Sequence, residues 1–246
     1  MKDFFALYDA ILDAMGADAD EITLSRAHTG ARWAMAEADG RLGLAMAESM
    51  ESVPPIYPNG LEGQSLREAA RGIKSWNLRE AAQSLAAINA YFNTPSRLES
   101  LACEEPYENY CTGRMRFDGM RLGVIGHMHL TPEIRAQAGQ IYTFEREPQE
   151  GDYPDSAAEA LLPTCEAVFI SGSTLANKTL PRLLELCESA ATILVGPSVP
   201  MCGALRDFGI TRLSGLVVTA HEEMRARVIS GARGNPYSTG RSFLIK

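Results

Sequence analysis

The densest run of groups able to act on a small molecule is Ser171-Gly172-Ser173-Thr174-Leu175-Ala176-Asn177-Lys178-Thr179. Hydroxyls and a carboxamide both donate and accept hydrogen bonds, a glycine admits close backbone approach, and the lysine adds a charge. Such a set suits recognition of a polar organic molecule. One of Ser173, Thr174 or Thr179 is expected to cap the helix that follows, but a cap does not need so many polar groups. Three further positions share this character: Gly126-His127, Glu145, and Gly196-Pro197-Ser198. Glu145 lies about 20 residues beyond Gly123 and Gly126, the spacing at which a carboxylate commonly bonds a ribose. The full G-x-G-x-x-G is absent, so there is no dinucleotide fingerprint. His127 and His129 share one face of an extended segment and are the candidate metal ligands, with no third ligand close by in sequence. Asn89 sits mid-helix, where asparagine has no local advantage, and so points to a tertiary or ligand contact. Asn93, ahead of Thr94-Pro95, reads as a helix stop.

These residues are carried by two kinds of grammar. In the first part, Asp3–Met15 has a helical apolar period closed by Gly16. Asp39-Gly40 between the runs Ala31–Glu37 and Arg41–Glu48 is a hairpin signal. Ser65–Ile73 reads as a short helix, and Asn77–Phe92 as a longer one with a capping box from Asn77 and Glu80. Its buried stripe is Leu78, Ala81, Leu85, Ile88 and Phe92. Thr94–Gly113 lacks a period and reads as a linker. After it, strands at Met120–Gly126, Gln140–Glu145, Ala167–Ser171, Thr192–Gly196 and Ile210–Val218 alternate with helical stretches. The helices are opened by Thr131-Pro132-Glu133 and by a capping box at Ser156 and Glu159, then recur around Leu180–Ser189, Met201–Phe208 and Glu222–Ile229. That alternation predicts a mostly parallel sheet. The fold class is therefore α/β: a small α+β domain over residues 1–95, a linker over 96–113, and a Rossmann-like domain over 114–246 that should fold on its own. Ligands of such sheets bind beyond the C-terminal strand ends, where the polar loops fall.

Composition narrows the partners. The chain has 246 residues, 46% hydrophobic and 22% charged, which fits a soluble globular protein. Its net charge of −8 lies entirely in residues 1–113, which hold nine Lys/Arg against seventeen Asp/Glu, while residues 114–246 hold fourteen of each. An acidic chain lacks the basic stripe that nucleic acids require. No apolar run approaches the length of a membrane span, and the first residues carry no signal-peptide pattern, so a cytoplasmic location is expected. The five cysteines are odd in number and scattered, with no C-x-x-C, which suits reduced thiols rather than a disulfide or zinc framework. Only four lysines are present, Lys2, Lys74, Lys178 and Lys246, so one inside a polar loop stands out. A homodimer is the default assembly for a soluble chain of this kind.

Trp76-Asn77-x-x-Glu80-Ala81-Ala82, Ala87-Ile88-Asn89-Ala90-x-x-Asn93, Ser171-Gly172-Ser173-Thr174-x-x-Asn177-x-Thr179-Leu180, Gly196-Pro197-Ser198-x-Pro200-Met201 and Leu213-Ser214-Gly215 resemble the bacterial and archaeal family labelled "putative heavy-metal chelation". The resemblance spans nearly the whole chain. It implies an N-terminal domain like that of enolase, a Rossmann-like C-terminal domain, and a site in the cleft between them; Lys178 and the two histidines fall outside the shared pattern. A wall bearing Asn89 would then face loops bearing Ser173, Asn177 and Ser198. Neutral hydrogen-bonding groups of this kind favour a heteroatom-rich organic ligand, such as a metal chelator, a metal chelate or a pterin-like ring, over a naked metal ion. The alternative expectation is an enzyme using a nucleotide-type cofactor, such as a methyl donor, on the Rossmann-like domain.

Overall fold

The computed structural model describes residues 3–100, 115–232 and 234–245. The first unit comprises α1 (Ala6–Asp13), an antiparallel meander of β1 (Arg26–Thr29), β2 (Trp33–Ala38) and β3 (Arg41–Met46), then α2 (Leu66–Arg71) and α3 (Leu78–Phe92). The hairpin turn forms as the sequence requires, with Asp39 at φ 48° and Gly40 at φ 70°. Asn77 caps α3, its Oδ1 accepting from the Glu80 amide at 3.0 Å. The return bond of a capping box is not made, because the Glu80 carboxylate instead accepts from the amides of Ile56 and Tyr57, at 2.8 Å each. The long loop before α2 is thereby pinned to the start of α3. The apolar stripe of α3 is buried, but so is almost every other face of the helix, since both units pack around it.

Within the expected linker, Pro95–Ser100 form a further short helix, α4, and residues 101–113 lie outside the described residues, as do Cys103 and Cys111. The second unit runs β4 (Arg121–Ile125), α5 (Pro132–Gln137), β5 (Gln140–Glu145), β6 (Tyr153–Pro154), α6 (Ala158–Leu161), β7 (Ala167–Ser171), α7 (Leu180–Leu186), β8 (Ala191–Val195), β9 (Ile210–Val218), α8 (His221–Ser230) and β10 (Gly240–Ile245). The Met201–Phe208 stretch is a 3-10 helix over Gly203–Phe208. Two expectations change. The Ser156/Glu159 capping box does not form: Ser156 lies inside a 3-10 turn, and Glu159 is drawn instead into a 2.6 Å ion pair with Arg182. The sheet also gains β6 and an antiparallel edge strand, β10, beside β9.

The seven strands lie in the order β10-β9-β8-β7-β4-β5-β6. From β4 the chain winds outward through β5 and β6, then returns to build β7, β8 and β9 on the other side. The direction of winding reverses between β4 and β7, the place where doubly wound sheets open a crevice. Alternate strand residues serve the two faces: Val168 and Ile170 enter the main core, while Ala167 and Phe169 join Phe117, Leu122 and Val124 on the other side.

The two units share their cores. Tyr8 and Ile11 of α1 and Leu85 and Ile88 of α3 belong to one cluster with Leu175, Val199 and Met201. Trp33, Met35, Leu42 and Leu44 pack with Leu216, Val218, Met224 and Val228 in another. No helix among the described residues is long and apolar enough to cross a membrane.

Candidate functional site

The C-terminal ends of β4, β5, β7 and β8 open into a cleft of about 1270 Å³. That is ample for an organic ligand, since such pockets are commonly about 300–1,000 Å³. The first unit closes one side with Arg32 and Trp33 at the start of β2 and with Met46, Ala47 and Glu48 at the end of β3. The loops after β4 and β7 touch at its base, so that a Cβ on Gly126 would lie 3.3 Å from Ser171 Cβ.

The β7 loop uses much of its polarity internally. Ser171 Oγ accepts from the Ser173 amide and lies 2.9 Å from Ser173 Oγ, and Thr174 Oγ1 donates to Ser171 O at 2.7 Å. The Oδ1 of Asn177 accepts from the Thr179 amide at 3.2 Å and from Thr179 Oγ1 at 2.7 Å. Thr179 itself caps nothing with its side chain. What remains for a ligand is the Ser173 and Thr179 hydroxyls, the Asn177 amide nitrogen and Lys178, all lining the cleft.

Lys178 has left-handed backbone, φ 68°, which non-glycine residues seldom adopt. Its Nζ donates to Ala176 O at 2.9 Å and sits 5.5 Å from the centre of the Tyr8 ring. Burial lowers its pKa to about 8, partly opposed by the charge of Glu48. Glu48 is itself buried, which raises its pKa, while Arg146 at 3.6 Å pulls the other way.

At the β4 end, His127 is gripped on both ring nitrogens. Its Nε2 lies 2.5 Å from Asp152 Oδ2 and its Nδ1 3.3 Å from Glu145 Oε1, while its backbone amide donates to the same Glu145 oxygen. The Asp152 hydrogen bond is the main reason the imidazole's pKa is raised. The carboxylate placed where a ribose would be read is thus already holding the loop of the first strand. His129 also lines the cleft. Among the described residues no group of three or more His, Cys, Asp or Glu could hold a metal ion. Cys165, Cys187 and Cys202 are buried free thiols whose pKa values burial pushes up to about 11, 12 and 11.

Asn89, Gly172 and Ser198 are not part of the cleft lining. Asn89 and Ser198 join the two units. Asn89 Nδ2 donates to Leu44 O at 2.6 Å and to Pro197 O at 3.3 Å, and Ser198 Oγ accepts from the Met46 amide at 2.8 Å. Gly172 has no room for a side chain, since a Cβ would meet the Val199 amide nitrogen at 2.8 Å. Asn93, read as a helix stop, is also a cross-link: it accepts from the Met201 amide and donates to Val199 O and Leu216 O. Gly126, His127, Glu145, Ser171, Ser173, Thr174, Gly196 and Pro197 line the cleft. Sequence reasoning missed Trp33, Glu48 and Arg146. Trp33 lies in the hairpin and Glu48 at its end, far from the Rossmann-like loops in sequence, and only the docking of the two units brings them there. Trp33 lines the cleft, and its Nε1 is buried with no hydrogen-bond partner among the described residues.

A small α+β unit docked over the switch point of a Rossmann-ordered sheet, with a polar cleft between them, is the class of protein that fold and site define. The chain belongs to the DUF364 family, described as "Putative heavy-metal chelation", which matches residues 112–245; residues 12–92 match DUF4213, which carries the same description. A DUF364-family protein of unknown function from Desulfitobacterium hafniense has a crystal structure similar to this chain at a TM-score of 0.85 and 31% identity, over 99% of this chain and 98% of that one. A second from Pyrococcus horikoshii, at 24% identity and TM-score 0.73 over 97% and 99% of the two chains, shares the fold. The uncharacterized protein MJ0500 of Methanocaldococcus jannaschii is 32% identical over 160 residues, which cover 61% of this chain and 60% of that protein's length.

Proposed function

We propose that the cleft binds a small, heteroatom-rich organic molecule, either a metal chelator or its metal complex, and that the protein serves metal homeostasis through that ligand. The observation carrying this reading is the donor set. The cleft presents hydroxyls, a carboxamide and backbone at the strand ends among scattered charged side chains such as Glu48, Arg146 and Lys178, and among the described residues no group of three or more His, Cys, Asp or Glu could hold a metal ion. Dispersed hydrogen-bonding groups fit the edge of a planar heteroatom-rich ligand; a bare divalent ion needs several ligands converging on one point. The family's description supports the link to metals. Titration with divalent metals, alone and with small organic chelators, tests it by thermal denaturation. Stabilisation by the chelator or its complex, and not by the metal alone, is expected. Tight binding of free metal that disappears in His127→Ala would move the site to the histidines and contradict the proposal.

The strand order favours a second reading, an enzyme that takes a nucleotide-type cofactor such as a methyl donor at the switch point. Against it stands Glu145, whose Oε1 is already engaged by His127. S-adenosylmethionine, NAD and ATP distinguish the two, since a ligand at 100 times its dissociation constant stabilises by about 2.7 kcal/mol.

A further inference from the structure

Lys178 is placed as a reactive amine is placed. It is 5% exposed yet lines the cleft, on a left-handed backbone that lifts it out of the regular turn before α7. Strain of this sort persists where surrounding structure imposes it, and it gathers at working sites. One hydrogen bond, to Ala176 O, occupies only one of the three donors of an ammonium group. The Tyr8 ring lies on one side, and Tyr8 Oη is already committed to Leu175 O at 3.2 Å. Glu48, brought from the other unit and itself 8% exposed, lines the same cleft, where Arg146 lies 3.6 Å from it. A surface lysine would be solvated and protonated; a lysine desolvated in a cleft that it shares with a buried carboxyl group has the means to attack a carbonyl.

We propose that Lys178 captures an aldehyde or ketone group of the cleft ligand as an imine, with Glu48 as its proton relay. This rests on the reading of the cleft as an organic-ligand site and names the functional group that the ligand carries. The neutral Nζ adds to the carbonyl carbon, and the C=O π electrons go to oxygen, giving a carbinolamine once a proton has passed from nitrogen to oxygen. Glu48 in its acid form then protonates the departing hydroxyl. The C–O bond breaks, the nitrogen lone pair forms C=N, and the remaining N–H proton returns to the Glu48 carboxylate. The net change is amine plus carbonyl to imine plus water, with no oxidant or reductant. Lowering the amine from 10.5 to about 8 makes its free-base fraction near pH 7 about 300 times that of an ordinary lysine.

The small number of lysines makes the test direct. The whole protein is incubated with pyridoxal, an aromatic, heteroatom-rich aldehyde, and cyanoborohydride, and adducts are mapped by peptide mass spectrometry. Lys178 is expected to label at least tenfold faster at pH 7 than Lys2, Lys74 or Lys246. Its rate should level off above about pH 8. Glu48→Gln should slow labelling at Lys178 alone, and Lys178→Arg should remove that adduct without changing the others. Labelling of Lys178 in the wild-type protein no faster than of Lys74 overturns the proposal. Native mass spectrometry without reductant separates the two levels: pyridoxal held by the protein with no reducible Lys178 adduct overturns imine capture while the cleft still binds an organic ligand. If neither pyridoxal retention nor an adduct is seen, imine capture is overturned together with the cleft's preference for such ligands.

Discussion

Asn93 Oδ1 accepts a hydrogen bond from the backbone amide of Met201 at 2.9 Å, and the same carboxamide donates to Val199 O at 2.9 Å and Leu216 O at 3.2 Å. One side chain at the end of α3 thus satisfies three buried backbone groups in the other unit. Replacing Asn93 by Ala strands all three, and a stranded buried group costs about 1–3 kcal/mol. Allowing for relaxation, the expected loss is about 3 kcal/mol, read as a fall in the urea midpoint at unchanged slope.

Asn89 performs the same service for Leu44 O and Pro197 O, while its own Oδ1 has no hydrogen-bond partner among the described residues. Asn89→Ala should destabilise by about 1–3 kcal/mol while leaving ligand affinity per folded molecule unchanged. Asn177→Ala should do the reverse. Among the described residues its side chain hydrogen-bonds only to Thr179, so stability changes by less than about 1 kcal/mol. Retention of the cleft ligand should fall measurably by isothermal titration. The two variants, compared by denaturation and by binding, separate structural from ligand-binding amides.

His127 supplies a pH dependence with a definite sign. Its folded-state pKa is raised above 6.5, chiefly by Asp152. The stabilisation it contributes is fully present below its unfolded value and is lost as pH rises through the folded one. Titration by NMR should place the His127 midpoint above 6.5, and Asp152→Asn should lower it. The ring is exposed enough that the effect is local, and it is expected to show as faster amide exchange around residues 146–152 at alkaline pH.

The shared cores bear on autonomy. Residues 115–245 alone would uncover Leu216, Val218, Met224 and Val228 where β2 and β3 now cover them, and Leu175, Val199 and Met201 where α1 and α3 do. The isolated fragment, expected from sequence to fold by itself, should instead aggregate or melt well below the whole chain when followed by circular dichroism.

Much of the architecture was legible because it is local. The Asp39-Gly40 turn, the Asn77 and Thr131 caps and the strands at 140–145 and 167–171 follow from turn chemistry and apolar runs. What was not legible depended on partners distant in sequence. β10 is a strand because β9 offers it an edge, and the two-residue β6 exists only beside β5. The Ser156/Glu159 signature yielded to Arg182. Asn89 and Ser198 marked themselves as unusual, but an amide or hydroxyl is satisfied equally by a ligand or by a neighbouring backbone. In this fold the backbone of the other unit arrives first. Lys178 stood out only by rarity, and its left-handed backbone and the buried Glu48 that shares its cleft depend on the assembled structure.

The most direct test is native mass spectrometry of the freshly purified chain, with Thr179→Trp, a bulky residue at an exposed position of the cleft, as comparison. A small-molecule mass excess on the wild type, absent from the folded variant and identified after release as a heteroatom-rich organic compound or its metal complex, is the predicted result. A mass excess that corresponds to bare metal ions, or one carried equally by Thr179→Trp, would contradict the account.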